Sequence, residues 1–187
     1  DQAALTNNTL QASAMSLIFQ DGEVYEASAT ERLPSPIDLR ALPIGTQHFT
    51  YYAALPRLNT FGDNLSQHED ERGARYASQD RDISDLYSHA IETPVLFLQK
   101  NVRLLSQFES RDAYVSFPIV RIRRKAGGGF EADPGFFAPA VSTAASPGMQ
   151  TMLESLLTQL YIKIEALYGR HRQLNDDVFE IQSFDIT

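Results

Sequence analysis

The residues that could do chemistry are few and scattered. Four histidines, His48, His68, His89 and His171, are spread along the 187 residues, and none has a neighbour at a ligand spacing such as HxxxH or HExxH. They read as solvated or hydrogen-bonded side chains, and no metal centre is expected. Asp80, Asp82 and Asp85 form an acidic cluster without the glycine and terminal glutamate of a calcium loop, which leaves solvated carboxylates. The basic run Arg121, Arg123, Arg124, Lys125 leads into Gly127-Gly128-Gly129, as if to hold phosphate. A phosphate loop needs G-K-[ST] and a helix start after its glycines, and here Phe130-Glu131 follows. The better reading is a hairpin tip whose charges protect a sheet edge, with Arg123, Arg124 and Lys125 turned toward an acidic partner. No serine sits in a G-x-S-x-G elbow. A paired-carboxylate site drawn from 24 acidic residues has no specificity. The sequence nominates no catalytic residue and no cofactor.

Composition narrows the class. There is no cysteine, so no disulfide framework, thiolate metal site or thiol nucleophile exists, which fits a reducing compartment. Sixteen basic against twenty-four acidic residues give a net charge of −8, which argues against nucleic acid or an anionic membrane surface as partner. No run approaches the ~20 apolar residues of a membrane span, and the start has no signal-peptide pattern. A cytoplasmic protein without membrane insertion is expected. The start without methionine suggests a piece of a longer chain.

Sheet must position most of these residues. Asp21-Gly22 signals a type I′ hairpin turn between Leu10–Phe19 and Val24-Tyr25. The prolines of Leu33-Pro34-Ser35-Pro36-Ile37 favour an extended crossing or edge. His48 to Leu55 has the aromatic and apolar content of a buried strand ended by Pro56. Polar sequence from Asn59 to Gln79, with the charge run His68-Glu69-Asp70-Glu71-Arg72, reads as an exposed loop. Short strands are expected at Arg75-Tyr76 and from Asp82 to Tyr87. Thr93 to Phe108 reads as one bent strand or two meeting near Lys100-Asn101. Tyr114 to Arg123 alternates, setting Val115, Phe117, Ile119 and Arg121 against Tyr114, Ser116, Pro118, Val120 and Ile122, with Pro118 at an edge or bulge. Seven or so such segments suggest an antiparallel β-sandwich over residues 1–145.

One long helix should follow, over residues 146–187 with the start of whatever continues it. Ser146 and Pro147 suit its first turn. Met149, Leu153, Leu156, Leu160, Ile164 and Leu167 are spaced as a heptad seam with one stutter. The helix either lies on a single sheet or meets sibling helices. Six such apolar residues left bare in a monomer are a solubility liability.

Several segments then show a likeness. Gln20-Asp21-Gly22-Glu23-Val24-Tyr25-Glu26-Ala27, Leu33-Pro34-Ser35-Pro36-Ile37-Asp38-Leu39, Phe117-Pro118-Ile119-Val120-Arg121-Ile122 and the block Gly129 to Pro139 followed by Ser146-Pro147 resemble, in collinear order, the TssK family of type VI secretion baseplate proteins. The closing Phe184-Asp185-Ile186-Thr187 is similar to that family's lead-in to a further helix. The family's two adjacent prolines are replaced here by Ala138-Pro139. Its opening segment, the rest of its helical neck and its C-terminal head are absent from the sequence.

The resemblance implies a shoulder sandwich like that of phage receptor-binding proteins, followed by the first neck helix. It implies a homotrimer joined through a helical neck, for which the seam residues Leu153, Leu156, Leu160, Ile164 and Leu167 are the expected contacts. It also implies docking of the N-terminal domain on a TssF/TssG wedge, a link through the missing head to a complex at the inner membrane, and no enzymatic activity. The residues alone leave open a carbohydrate- or protein-binding sandwich module, or a hydrolase built on a sandwich.

Overall fold

Turn residues punctuate the chain at short intervals up to Pro139 and almost not at all after Pro147, and the architecture divides accordingly. A computed structural model describes residues 2–27, 31–66, 73–84, 87 and 92–183, with backbone alone from 171 to 183. The elements run α1 (Gln2–Thr6), β1 (Thr9–Leu10), β2 (Met15–Ile18), β3 (Val24–Ala27), β4 (Ile37–Asp38), β5 (His48–Pro56), β6 (Leu65–Ser66), β7 (Tyr76–Ser84), β8 (Glu92–Lys100), β9 (Arg103–Ser106), β10 (Tyr114–Arg124), β11 (Phe130–Ala132) and α2 (Pro147–Ser183). Contacts separate Asp1–Pro139 from Ala140–Thr187. His68 to Arg72, Asp85, His89 and Phe184 to Thr187 lie outside the described residues, as does the side chain of His171.

The first unit is built on β5, which lies inside the antiparallel order β11-β10-β5-β9. Alternate residues of a strand share a face, and Phe49, Tyr51, Ala53 and Leu55 all enter one buried cluster. Opposite Leu55 and Ala53 stand Val115 and Phe117, whereas opposite Tyr51 and Phe49 stand Val120 and Ile122. The register shifts between Pro118 and Val120, so the core-facing residues of β10 change from odd to even. A bulge is where a strand tolerates a proline that cannot donate to the ladder. Pro118 is thus at a bulge, and the unbroken alternation expected from Tyr114 to Arg123 is corrected by it.

A second layer closes over that face. β2 and β3 pair antiparallel, and Met15, Phe19, Tyr25 and Ala27 join the same cluster. The Phe19 and Phe117 rings meet edge-on at 5.4 Å between centroids. Leu10 from the small β1–β4 pair, Leu5 and Leu39 complete it. This is the expected β-sandwich, its named strands pairing antiparallel apart from β6, which pairs parallel with the start of β7.

The β2–β3 turn differs from type I′. Only Gly22 has positive φ there, at 87°, and Gly22 N–H donates to Phe19 O at 2.9 Å while Phe19 N–H donates to Glu23 O at 2.8 Å. That is a type I turn closed by a glycine bulge. Left-handed backbone costs a non-glycine residue about 1–2 kcal/mol, and the bulge lets glycine alone adopt it.

Thr93 to Phe108 forms two strands, and they part at Asn101-Val102. β8 pairs with β7 and β9 with β5. The two short strands expected near Asp80 are instead one nine-residue strand, β7, in unbroken register with β8. Its polar residues concealed it, because most of the β7–β8 ribbon is exposed and needs no apolar alternation. No local residue pattern signals α1. Its Thr6 carbonyl lies 3.2 Å from where a Cβ on Gly129 would stand, and Gly129 has φ 74°.

In the second unit Ser146 is extended and its carbonyl accepts the N–H of Gln150 at 3.0 Å. A 3₁₀ turn, Thr143–Ala145, precedes it. Pro147 occupies the first helical position, where its missing N–H costs nothing. α2 passes through Gly169 and beyond Arg172 to Ser183, 37 residues in all, or about 55 Å at ~1.5 Å per residue. A mid-helix glycine costs only about 1 kcal/mol, which its neighbours in a long helix absorb.

Candidate interaction surfaces

The seam residues of α2 are brought onto one side by their spacing. At about 100° per residue, Leu153, Leu156, Leu160, Ile164 and Leu167 fall within an arc of about 80°. Every residue from 151 to 170 is exposed, and the five seam side chains are 36%, 50%, 46%, 45% and 63% accessible. An unbroken helix with a bare apolar stripe is what a coiled-coil partner covers.

The basic tip is a true hairpin between β10 and β11, closed by Lys125 N–H to Gly129 O at 3.1 Å. The cations meant for a partner have partners within the chain. Arg123 Nε lies 2.7 Å from Glu131 Oε1, and Lys125 Nζ lies 3.9 Å from the other oxygen of the same carboxylate. Arg124 turns inward, its Nη2 donating to Leu42 O at 2.9 Å and Pro43 O at 3.2 Å. Its guanidinium covers the rings of Phe130 and Phe49, at 4.9 and 5.4 Å. Arg121 Nε bonds Asp133 Oδ2 at 2.6 Å. The Gly135 N–H, then that guanidinium, hold the Asp133 carboxyl below its ordinary range.

Sequence reading missed the cluster around Arg75, which stands in a stretch resembling a loop. Arg75 is 3% exposed. Its Nη2 lies 2.7 Å from Asp21 Oδ2 and 3.2 Å from Glu23 Oε2, and its Nη1 donates to Pro56 O at 2.9 Å. Lys100 Nζ reaches Glu31 at 2.6 Å and Glu23 at 3.4 Å. Burial pushes the Asp21 and Glu23 carboxyls up, but the cations outweigh it and both end below their ordinary values. The cluster ties the β2–β3 turn, the end of β5 and the root of the β7–β8 ribbon together. A carboxylate at a DG turn and an arginine some fifty residues later carry no shared sequence signal.

His48 is exposed, with Nε2 3.9 Å from Asp133 Oδ2. Among the described residues no three histidine or acidic side chains gather as metal ligands, and no helix is long and apolar enough to cross a membrane. Asp80 and Asp82 stand two residues apart on β7 and so share one face of the ribbon.

The family model described as T6SS_VasE, bacterial type VI secretion (VC_A0110, EvfL, ImpJ, VasE), matches residues 1–186. The chain belongs to that family. No curated protein matches the VasE-family chain in sequence. Among solved structures, it matches a chain of the type VI secretion TssK-TssF-TssG baseplate subcomplex at 29% identity and TM-score 0.78, over 90% of this chain and 56% of that one. A chain of the type VI secretion baseplate complex matches at 27% and 0.77, over 90% and 54%. TssK from EAEC, bound to a nanobody, matches at 28% and 0.70, over 90% and 38%. The VasE-family chain therefore has the TssK fold, and it spans about half, or less, of the chains it matches.

Proposed function

We propose that this chain is the shoulder, residues 1–145, and first neck helix, residues 146–187, of a non-enzymatic adapter in the type VI secretion baseplate. Three copies join through Leu153, Leu156, Leu160, Ile164 and Leu167, and the sandwich docks on a TssF/TssG wedge on the cytoplasmic side of the inner membrane. The parts of the full-length protein beyond this chain make the link to the membrane complex. No cofactor enters this role. The observation that carries the reading is the 29% identical match, over 90% of the chain, to a structure of TssK with TssF and TssG. The bare seam on α2 supports the trimer, because burying a large apolar side chain is worth about 1.5–3 kcal/mol. The hairpin tip keeps a partner-facing role through Arg123 and Lys125, which stand beside the single carboxylate of Glu131.

The test is light scattering of the full-length protein carrying Leu156→Glu with Leu160→Glu, beside pull-down of the unaltered protein with TssF and TssG. A trimer that becomes monomer with its sheet content unchanged supports the neck assignment. A monodisperse trimer from the double variant refutes it.

A further inference from the structure

The ribbon of β7 and β8 has its two long edges finished differently. Tyr76 and Lys100 stand opposite each other, and both turn their N–H outward, Tyr76 to Asn64 O at 2.8 Å and Lys100 to Glu31 Oε2 at 3.0 Å. Asn101 N–H bonds inward to Arg75 O at 2.9 Å. In an antiparallel ladder the two kinds of pair alternate, and the register is unbroken from Tyr76↔Lys100 to Ser84↔Glu92. The outward backbone groups of β8 are therefore those of Leu98, Leu96, Pro94 and Glu92. Glu31 covers the edge at Lys100. From Leu98 outward no described residue does.

On the β7 side the outward groups belong to Ser78, Asp80, Asp82 and Ser84, and the two central carboxylates deter strand pairing. The β8 edge carries Glu92 and Pro94 at its far end but no such guard at Leu96 and Leu98. Leu96 and Leu98 are 58% and 56% exposed, and their side chains share one face with Asp80 and Asp82, whose carboxylates meet no cation among the described residues. β6 pairs with β7 at Tyr76 and Ala77, so beyond them the ribbon has two strands, an arrangement that a third strand stabilises. A second copy is a poor occupant, since this face is acidic and the chain carries a net charge of −8.

We infer that an extended segment of a partner protein adds as a third strand along β8 from Glu92 to Leu98, with apolar residues beside Leu96 and Leu98 and basic residues facing Asp80 and Asp82. Backbone pairing supplies the affinity, and the acidic and apolar face selects the segment. This inference rests on the docking reading above and assigns TssF/TssG as the source of the strand.

Leu96→Pro removes one outward donor, as Pro94 already does, without touching the ladder to β7. In full-length protein mixed with the TssF–TssG complex, it should weaken binding about tenfold, the effect of one lost hydrogen bond plus local mispairing. Asp80→Lys with Asp82→Lys should also weaken binding and flatten its salt dependence. Ser84→Pro, the matching change on the β7 edge, should leave binding as it was. Hydrogen exchange of the unaltered complex should show the Leu96 and Leu98 amides newly protected. Unchanged binding by Leu96→Pro, with those amides still exchanging freely, overturns the inference and leaves the docking reading standing. Failure of the unaltered protein to bind TssF–TssG overturns both. A change in the mass of the free protein on Leu96→Pro assigns the edge to a second copy and overturns the inference.

Discussion

β5 and β8 are nine residues each and both carry a run of apolar side chains, HFTYYAALP against ETPVLFLQK, yet one is the centre of the core and the other stands in water. β5 has a strand on either side and a hairpin over one face, and six of its residues are buried. β8 has one neighbour, and of its nine residues only Gln99 is buried. What separates them is how many elements come to cover each. Apolar sequence that a chain leaves uncovered marks where something else is to be added.

The largest test of this contrast is a pair of truncations followed by urea unfolding. Phe49→Ala, at a fully buried ring packed edge-on to Phe130 and Phe108, should cost about 3–5 kcal/mol. Leu96→Ala should stay within about 0.5 kcal/mol. Comparable losses from the two would erase the distinction between the strands.

Next comes the junction between the regions. Arg75→Met leaves Asp21 and Glu23 without their shared cation, and because both carboxylates keep some water the expected loss is about 2–3 kcal/mol. It should also speed hydrogen exchange throughout β7 while leaving β10 protected. Equal acceleration in both would show the ribbon and the core to be one cooperative unit. A smaller effect belongs to the core side alone. Gly129→Ala forces a left-handed alanine and crowds the Thr6 carbonyl, for about 1–2 kcal/mol.

The last effect is a slope. Asp21 and Glu23 titrate lower in the folded chain than their ordinary 3.8 and 4.5. Below those values the unfolded chain takes up protons first, so the stabilisation is present above the ordinary carboxylate range and lost as pH falls through the folded values. Asp21→Asn with Glu23→Gln should lower the urea midpoint at pH 6 and flatten its fall between pH 6 and pH 3. An unchanged slope would remove these two carboxylates from the acid response.

How much of this the sequence shows depends on how local each cause is. The β5 strand, the Asp21-Gly22 hairpin, the division of Thr93 to Phe108 and the Pro147 helix start all follow from neighbours in the chain. The phase change in β10 follows from one proline, although only the cross-strand register shows which way the residues after it face. β7 reads as two short segments because its stabilising partner lies across the ladder and its own residues are polar. Arg75 was invisible for a similar reason, since its partners come from Asp21, Glu23 and Pro56. The inward turn of Arg124 was equally hidden, as nothing near it in sequence announces the two rings it covers. The seam on α2 is legible because helical periodicity is local.

Arg75 and Lys100 sit where the ribbon leaves the sandwich, bolted to the β2–β3 turn and to the Pro56 carbonyl that ends β5. A pull applied to the far part of the ribbon would reach the body through those ionic fastenings as well as through the covalent chain. The same fastenings that resist unfolding at rest would then act as a mechanical anchor for whatever is held along the edge.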